Sequence, residues 1–343
     1  MVTKIGLDLG YANITLGDVC AGIYREPSIA IVDKTTGRIL SLGNAALEGR
    51  EAGGLPVRPF KNGLLYSQEM TRAIIANAIR AILPADKIRC IVGLPSQFLP
   101  KQEKELFAMV ADAGVNEVFG VTRSVAALIG AGYSPSMSVI SVNVGAKYTD
   151  ISVLHEGKVI LKSTADVGGE NFDIAVKQYI QDCGDVAVSL SVARAIKENI
   201  GAVWEGRESA SIDIEGTLSL TGNKVKMNLV TEDILGVFEK PLHALLYAIA
   251  DVVKRIPYEF VTEIFKNGIV LSGGGAQLFG LDKMIAKVLD IPVALALDPI
   301  DCVAKGLSRI NTFLPVKMRS SHRNLTAQLA KYYQNKKKNA NEK

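Results

Sequence analysis

Apolar and polar positions follow two rhythms along this chain, and the change from the strand rhythm to the helix rhythm happens twice in the same order. Residues 4–8, 14–16 and 28–32 carry the short apolar runs, bounded by turn residues, of β-strands. Asp33-Lys34-Thr35-Thr36-Gly37 supplies a turn and residues 39–42 continue the pattern, which predicts a meander. After a loop at 58–63, Met70, Ile74, Ile75, Ala78, Ile79 and Ile82 recur at spacings of three and four. This predicts a helix over 67–82 that Pro84 stops. Residues 88–93 predict a buried strand, 101–113 an amphipathic helix capped by Gly114, 117–121 a short strand, and 125–130 the start of another helix.

The second half repeats the plan. Residues 139–144 run into Gly145 as residues 5–9 run into Gly10, and 150–154 and 159–164 complete a second meander. Gly168-Gly169 precedes a predicted helix at 171–179. Helices follow over 191–200 and 231–255, a strand at 269–271, a helix at 281–289, a strand at 291–297 and the start of a last helix at 299–307. A repeat of this kind predicts two related α/β lobes.

Composition narrows the classes. A chain of 343 residues suffices for roughly two domains. Its 48% hydrophobic and 22% charged residues are those of a globular protein. The net charge of +4, from 39 basic and 35 acidic residues, is too balanced to point to a nucleic-acid partner. No apolar run approaches about 18 residues and no cleavable leader pattern stands out, so neither secretion nor a membrane span is expected. Cys20, Cys90, Cys183 and Cys302 form no C-x-x-C pair and have apolar neighbours. They are expected to be buried, reduced thiols in a cytosolic setting. His155, His243 and His322 are too scattered to suggest a metal site. The polar, basic segment 336–343 reads as a solvated end or as an electrostatic contact to acidic lipid or a partner.

Candidate chemistry lies in two glycine loops about 260 residues apart. Ile5-Gly6-Leu7-Asp8-Leu9-Gly10-Tyr11-Ala12-Asn13 places a carboxylate and bare amides at a strand tip. Gly268-Ile269-Val270-Leu271-Ser272-Gly273-Gly274-Gly275 lets backbone lie flat against a planar or anionic ligand, because no Cβ intervenes. Together they suggest two half-domains closing on one nucleotide.

The ordered motifs resemble those of the bacterial actin MreB and its relatives, within the actin, Hsp70 and sugar-kinase superfamily. Asp8-Leu9-Gly10-Tyr11-Ala12-Asn13 is similar to the family's D-L-G-T-A-N loop, and Arg58-Pro59-Phe60-Lys61-Asn62-Gly63 to R-P-x-K-D-G. Val167-Gly168-Gly169-Glu170-Asn171-Phe172-Asp173 resembles I-G-G-D-x-F-D, and Ile196-Lys197-Glu198-Asn199-Ile200-Gly201 resembles I-K-x-x-I-G. Gly273-Gly274-Gly275, Asp298-Pro299 and Cys302-Val303-Ala304-Lys305-Gly306 follow the family's closing segments.

The resemblance implies an actin-like (ribonuclease H-like) two-lobed α/β ATPase fold with subdomains IA, IB, IIA and IIB. Lobe I would span 1–136 with IB inserted at about 32–77. Lobe II would span 137–310 with IIB at about 177–244. Residues 311–343 would return a helix to lobe I and end in a basic tail. It also implies ATP or ADP with Mg²⁺. The amides of Gly10, Tyr11, Ala12 and Asn13, with Gly145 and Lys147, would face the phosphates, and Asp8 would hold the metal through water. Gly168 and Gly169 would line the base pocket, Lys197 and Glu198 would approach the ribose, and Gly273, Gly274 and Gly275 would pass close to adenine and ribose.

Departures from the family pattern gather at the chemistry. Where the family has D-I-G-G-G-T-T-[DE], this chain has Asn143-Val144-Gly145-Ala146-Lys147-Tyr148-Thr149-Asp150; where it has E-E-P-x-A-A, this chain has Thr122-Arg123-Ser124-Val125-Ala126-Ala127. Arg123 thus stands at the position of the water-orienting glutamate, and Tyr11 replaces a threonine. Formal counting makes the cleft about four units more positive than the family pattern. A guanidinium has no acceptor with which to orient water, so ATPase activity is expected to be weak or absent. Two arrangements are open. Lys147 and Arg123 could serve as cations on a bound triphosphate. Alternatively, one of them pairs with Asp8 while Tyr11 and Tyr148 fill the phosphate space, leaving a nucleotide-free joint.

The resemblance implies a cytoplasmic protein that stacks head to tail with itself into cytoskeletal filaments serving cell shape, positioning or scaffolding, at the inner face of the membrane in some relatives. The alternative is a pseudo-enzyme adaptor that keeps the actin fold and regulates or co-assembles with an active MreB-type paralogue. A sugar or small-molecule kinase is disfavoured because no acidic base is evident in the altered segment. For membrane contact, Met1-Val2-Thr3-Lys4 runs directly into the first strand, so an amphipathic leader helix is not expected. The loop Ala81-Ile82-Leu83-Pro84 and Phe98-Leu99-Pro100 are the candidates, with ordinary packing as the other reading.

Overall fold

Gly10 and Asn13 fold the first apolar run back on itself. In the computed structural model, which describes residues 2–20, 22–48, 54–61, 64–65, 67–81, 87–314, 323–329 and 331–332, strands Val2–Leu9 and Asn13–Asp18 pair antiparallel. Leu9 lies opposite Ile14, Asp8 lies opposite Thr15, and the Gly10 N–H donates to Asn13 O at 2.9 Å. Strands Val139–Val144 and Thr149–His155 make the same hairpin. Val144 faces Thr149, Asn143 faces Asp150, and the Gly145 N–H donates to Tyr148 O at 2.9 Å.

Each hairpin is extended in the same way. An antiparallel strand joins the outer side, Gly22–Pro27 in one sheet and Lys158–Ala165 in the other. Two parallel strands join the inner side: Lys87–Leu94 then Glu117–Thr122, and Ile269–Ser272 then Val293–Leu295. The expected duplicated α/β architecture is therefore present, strand for strand. Arg323–Asn324 adds one further parallel strand beside Glu117–Thr122. Val139–Val144 is buried at every position, as a strand covered on both faces must be.

Helices Arg123–Gly130 and Cys302–Phe313 lie between the two sheets. One apolar cluster joins Ile91 and Phe119 of the first sheet, Val125, Leu128, Leu307 and Ile310 of these helices, and Val139 and Val270 of the second sheet. Glycine sets their closeness: a Cβ on Gly130 would overlap Cys302 O, and one on Gly306 would overlap Ala126 O. The last helix thereby seats on the opening strand, where a Cβ on Gly6 would come within 2.5 Å of Leu307 Cβ.

Several expectations need correction. The third strand of the first sheet is Gly22–Pro27, and residues 28–32 instead feed Ala30–Asp33, which pairs with Ile39–Leu42 and Gly54–Val57 in a separate sheet. The missed strand lies at a sheet edge, where Tyr24, Arg25 and Glu26 are tolerated and apolar alternation is weak. The helix expected over 231–255 is two elements, a 3₁₀ turn Thr231–Ile234 and a helix Glu239–Lys254, separated by Gly236 at φ 87°. A hairpin, Ser211–Leu218 with Lys224–Val230, and a helix, Tyr258–Asn267, occupy stretches to which no element was assigned.

Among the cysteines, Cys90 and Cys302 are buried but Cys20 and Cys183 are exposed. Phe98 packs inside, whereas Leu99 is 65% exposed. Ile82, Leu83 and Pro84, together with Asn62, Gly63 and the basic segment 336–343, lie outside the described residues. Among the described residues no helix is long and apolar enough to cross a membrane.

Candidate functional site

The turns of the two hairpins face each other across a cleft of about 540 Å³. The first hairpin contributes Asp8, Gly10, Tyr11, Ala12 and Asn13, and the second contributes Gly145 and Lys147. Gly169, Lys197 and Glu198 come from the second lobe's helices, and Gly273, Gly274 and Gly275 from the end of strand Ile269–Ser272. Gly168 does not line the cleft. It backs the second turn, where a Cβ would lie 2.7 Å from Gly145 O.

The triple glycine is fitted to the second hairpin. Gly273 has φ 89°, and a Cβ there would meet Asn143 Oδ1 at 2.5 Å and run into Val144 O. A Cβ on Gly275 would lie 2.5 Å from Val144 Cγ1, while Gly274 has only Ile300 nearby, at 3.5 Å. Backbone is thus laid bare on the cleft side, a surface suited to a flat ring or an anion.

Arg123, the first residue of its helix, reaches under the first turn. Its Nε donates to Asp8 Oδ1 at 2.8 Å, its Nη2 donates to Leu9 O at 2.6 Å, and its Nη1 lies 3.9 Å from Asp150 Oδ2. One guanidinium therefore meets a carboxylate from each lobe. Burial pulls the Arg123 guanidinium down, but Asp8 and Asp150 outweigh it and hold it above its ordinary value. Burial raises the Asp150 carboxyl against the opposing effect of Arg123 and of the Thr164 hydroxyl, which donates to Oδ1 at 2.8 Å.

The tyrosines do not close the cleft. Tyr11 and Tyr148 meet edge to face with centroids 6.3 Å apart. Arg58 lies over the Tyr11 ring at 5.1 Å and donates to Tyr11 O at 3.1 Å, bracing the first turn from outside. Burial, then the Glu170 carboxylate, raises the Tyr11 phenol. The pairing expected of a closed joint, Arg123 with Asp8, thus coexists with an open cleft.

Other side chains at the site escaped sequence reasoning. Asp173, fully buried, pairs with Lys197 and accepts from Arg194 Nε at 3.0 Å, and Lys197 Nζ also donates to Gly169 O at 3.1 Å. Arg207 lies over the Phe279 ring at 5.7 Å and donates to Gly201 O. The partners of Arg207 are remote in sequence or are backbone oxygens, and neither leaves a local signal. Lys147 Nζ stands 3.9 Å from Glu170 Oε2, a loose pairing that leaves its charge available to the cleft.

The chemistry of these donors suits an anionic, planar-ended ligand better than a divalent cation at Asp8. The Asp8 carboxylate already holds a guanidinium, and its counterpart on the second hairpin is the neutral Asn143. Like unit charges about 4 Å apart repel by about 4 kcal/mol at an effective dielectric of about 20, and a divalent ion doubles that, so the guanidinium offsets the attraction that the Asp8 carboxylate would offer a metal.

Duplicated sheets of one strand order, hinged on a helix pair with a glycine-lined cleft between their turns, define an actin-like two-lobed protein. Solved structures agree. MreB5 of Spiroplasma citri bound to AMPPNP superposes with a TM-score of 0.83 at 22% identity, covering 90% of this chain and 96% of that one. The MamK double helical filament gives 0.79 at 21%, covering 92% and 100%. The sequence matches the family model for MreB/Mbl protein over residues 2–317, and the chain belongs to that family. Among curated relatives, the cell shape-determining protein Mbl of Bacillus cereus is 30% identical over 312 residues, covering 88% of this chain and 93% of its own. The cell shape-determining protein MreB of Escherichia coli is 28% identical over 316 residues, covering 88% and 91%.

Proposed function

We propose that this chain is a cytoplasmic, filament-forming actin homologue of the cell-shape class that holds an adenine nucleotide between its lobes and turns it over slowly or not at all. The amides of the two hairpin turns face the phosphates, Gly274 and Gly275 lie by the base and ribose, and Lys197 and Glu198 approach the ribose. Self-assembly, read here as head-to-tail stacking, is supported by the likeness to MamK, solved as a double helical filament, and nucleotide binding by the likeness to MreB5, solved with AMPPNP and with ADP.

The observation that carries slow turnover is Arg123, bound to Asp8 and Leu9 O where a water-orienting acceptor would be needed. Loss of such a group costs about 10²–10⁴-fold in rate. Sedimentation and electron microscopy with ATP, run beside a phosphate-release assay, test the proposal. Filaments without phosphate release are expected; monomers under every condition, or brisk release that rises with protein concentration, would overturn it.

A second reading is supported by the same guanidinium, which meets carboxylates of both lobes and so favours one lobe arrangement. Such a subunit suits co-assembly with an active MreB-type paralogue, and copolymer pelleting with one tests this.

A further inference from the structure

We infer that the cleft carries its own cation: Arg123, tied to Asp8, stands in for a divalent metal, so that the triphosphate is bound metal-free. The inference rests on the nucleotide reading above and concerns how that site neutralises charge.

Three independent features support it. First, Arg123 is a built part of the cleft and not a surface charge that has folded in. Its Cγ passes 3.2 Å from the position a Cβ would take on Gly93, so glycine there makes room for the stem, and Leu9 O and Asp8 fix the guanidinium plane. Two of the five N–H groups of a guanidinium serve those bonds. Second, the residue opens the helix Arg123–Gly130, whose first turn has no acid. A cation there opposes the helix dipole, so the position is unfavourable for the helix itself and is explained by what the charge faces. Third, the remaining groups match a ligand with more negative charge than a metal-bound triphosphate. Lys147 leans loosely on Glu170 at 3.9 Å, and Asn143, which matches Asp8 in the second hairpin, is neutral. Arg123 and Lys147 can supply donors to phosphate oxygens, and Arg suits that geometry well.

The test is equilibrium binding of ATP to the full chain, once in EDTA and once in excess magnesium. Affinities within about threefold of each other are expected, a difference below 1 kcal/mol at 25 °C. Arg123→Gln should lose at least about tenfold in EDTA and recover in magnesium, because Asp8 is then released to hold the metal. Arg123→Lys, which retains the charge, should keep binding metal-independent. Wild-type protein that binds ATP in magnesium but loses about a hundredfold in EDTA would overturn the inference and leave the nucleotide reading standing. No binding in either buffer would remove both. Metal-independent binding that persists in Arg123→Gln would show that Arg123 is not the cation. The wild-type comparison decides the matter even where a variant folds poorly.

Discussion

Arg123 pays for its place with a helix start that does not want it, and Asp150 makes the consequences measurable. Burial holds the Asp150 carboxyl above the ordinary aspartate value of 3.8, and Arg123 opposes that rise. An acid whose folded value is raised contributes stability that is fully present below its unfolded value and is lost as pH rises through the folded one. Arg123→Gln removes the opposition, so Asp150 rises further and the loss extends toward neutral pH. We expect the variant to be less stable by about 3–5 kcal/mol at neutral pH. We also expect its urea midpoint to fall more steeply than that of the wild type between about pH 4 and pH 7. Parallel midpoint curves would contradict this. The sequence shows an arginine where the family pattern has a glutamate, and a pairing with Asp8 was among the arrangements it left open; the approach of the same guanidinium to Asp150 was not legible. The cysteines make the same point. Apolar neighbours suggested four buried thiols, yet Cys20 lies in a turn after strand Asn13–Asp18 and Cys183 near the end of helix Gly169–Gly184, both exposed. Burial pushes Cys302 up to about 11 and raises Cys90 as well. Brief alkylation of the native protein near pH 8 should therefore modify Cys20 and Cys183 and spare Cys90 and Cys302, as peptide mass mapping would show.

At the scale of elements, the helix Cys302–Phe313 transmits the most. It packs on the opening strand through Leu307, crosses helix Arg123–Gly130 at backbone contact, and sends Val303 into the cleft lining. Gly306→Ala would push a methyl group into Ala126 O, a backbone atom that moves only if a helix moves. Overpacking of this kind costs about 1–3 kcal/mol. We expect a melting temperature lower by several degrees, read by circular dichroism, and weaker nucleotide binding because Val303 shifts with the helix. An unchanged melting curve would mean the helices are less tightly opposed than described. Elements with strong periodicity were legible: 281–289 was expected as a helix and Leu281–Leu289 is one. The edge strand Gly22–Pro27 was not, because an outer strand with Tyr24, Arg25 and Glu26 shows little apolar pattern. Lys224–Val230 carries a usable alternation, Val225 and Met227 half-buried between exposed Lys224, Lys226 and Asn228, and a closer count of period two would have found it.

For the whole molecule, the proposed slow turnover raises the question of what times a filament whose subunits keep their nucleotide. The duplication was legible because each lobe begins with the same hairpin, an apolar strand running into a glycine turn. The charge linkage across the cleft was not, since it arises only when the two hairpins face each other and bring Asp8 and Asp150 to one guanidinium. Arg123 meets one carboxylate from each lobe; if it keeps both in each nucleotide state, polymer stability should depend little on the γ-phosphate. We therefore expect ATP and its non-hydrolysable analogue AMPPNP to support the same critical concentration, and the pelleted fraction to stay level for hours after ATP addition without phosphate release. Depolymerisation that follows phosphate release, or a clear gap between ATP and AMPPNP, would show that the cleft still times the filament and that Arg123 does not bridge the lobes during assembly.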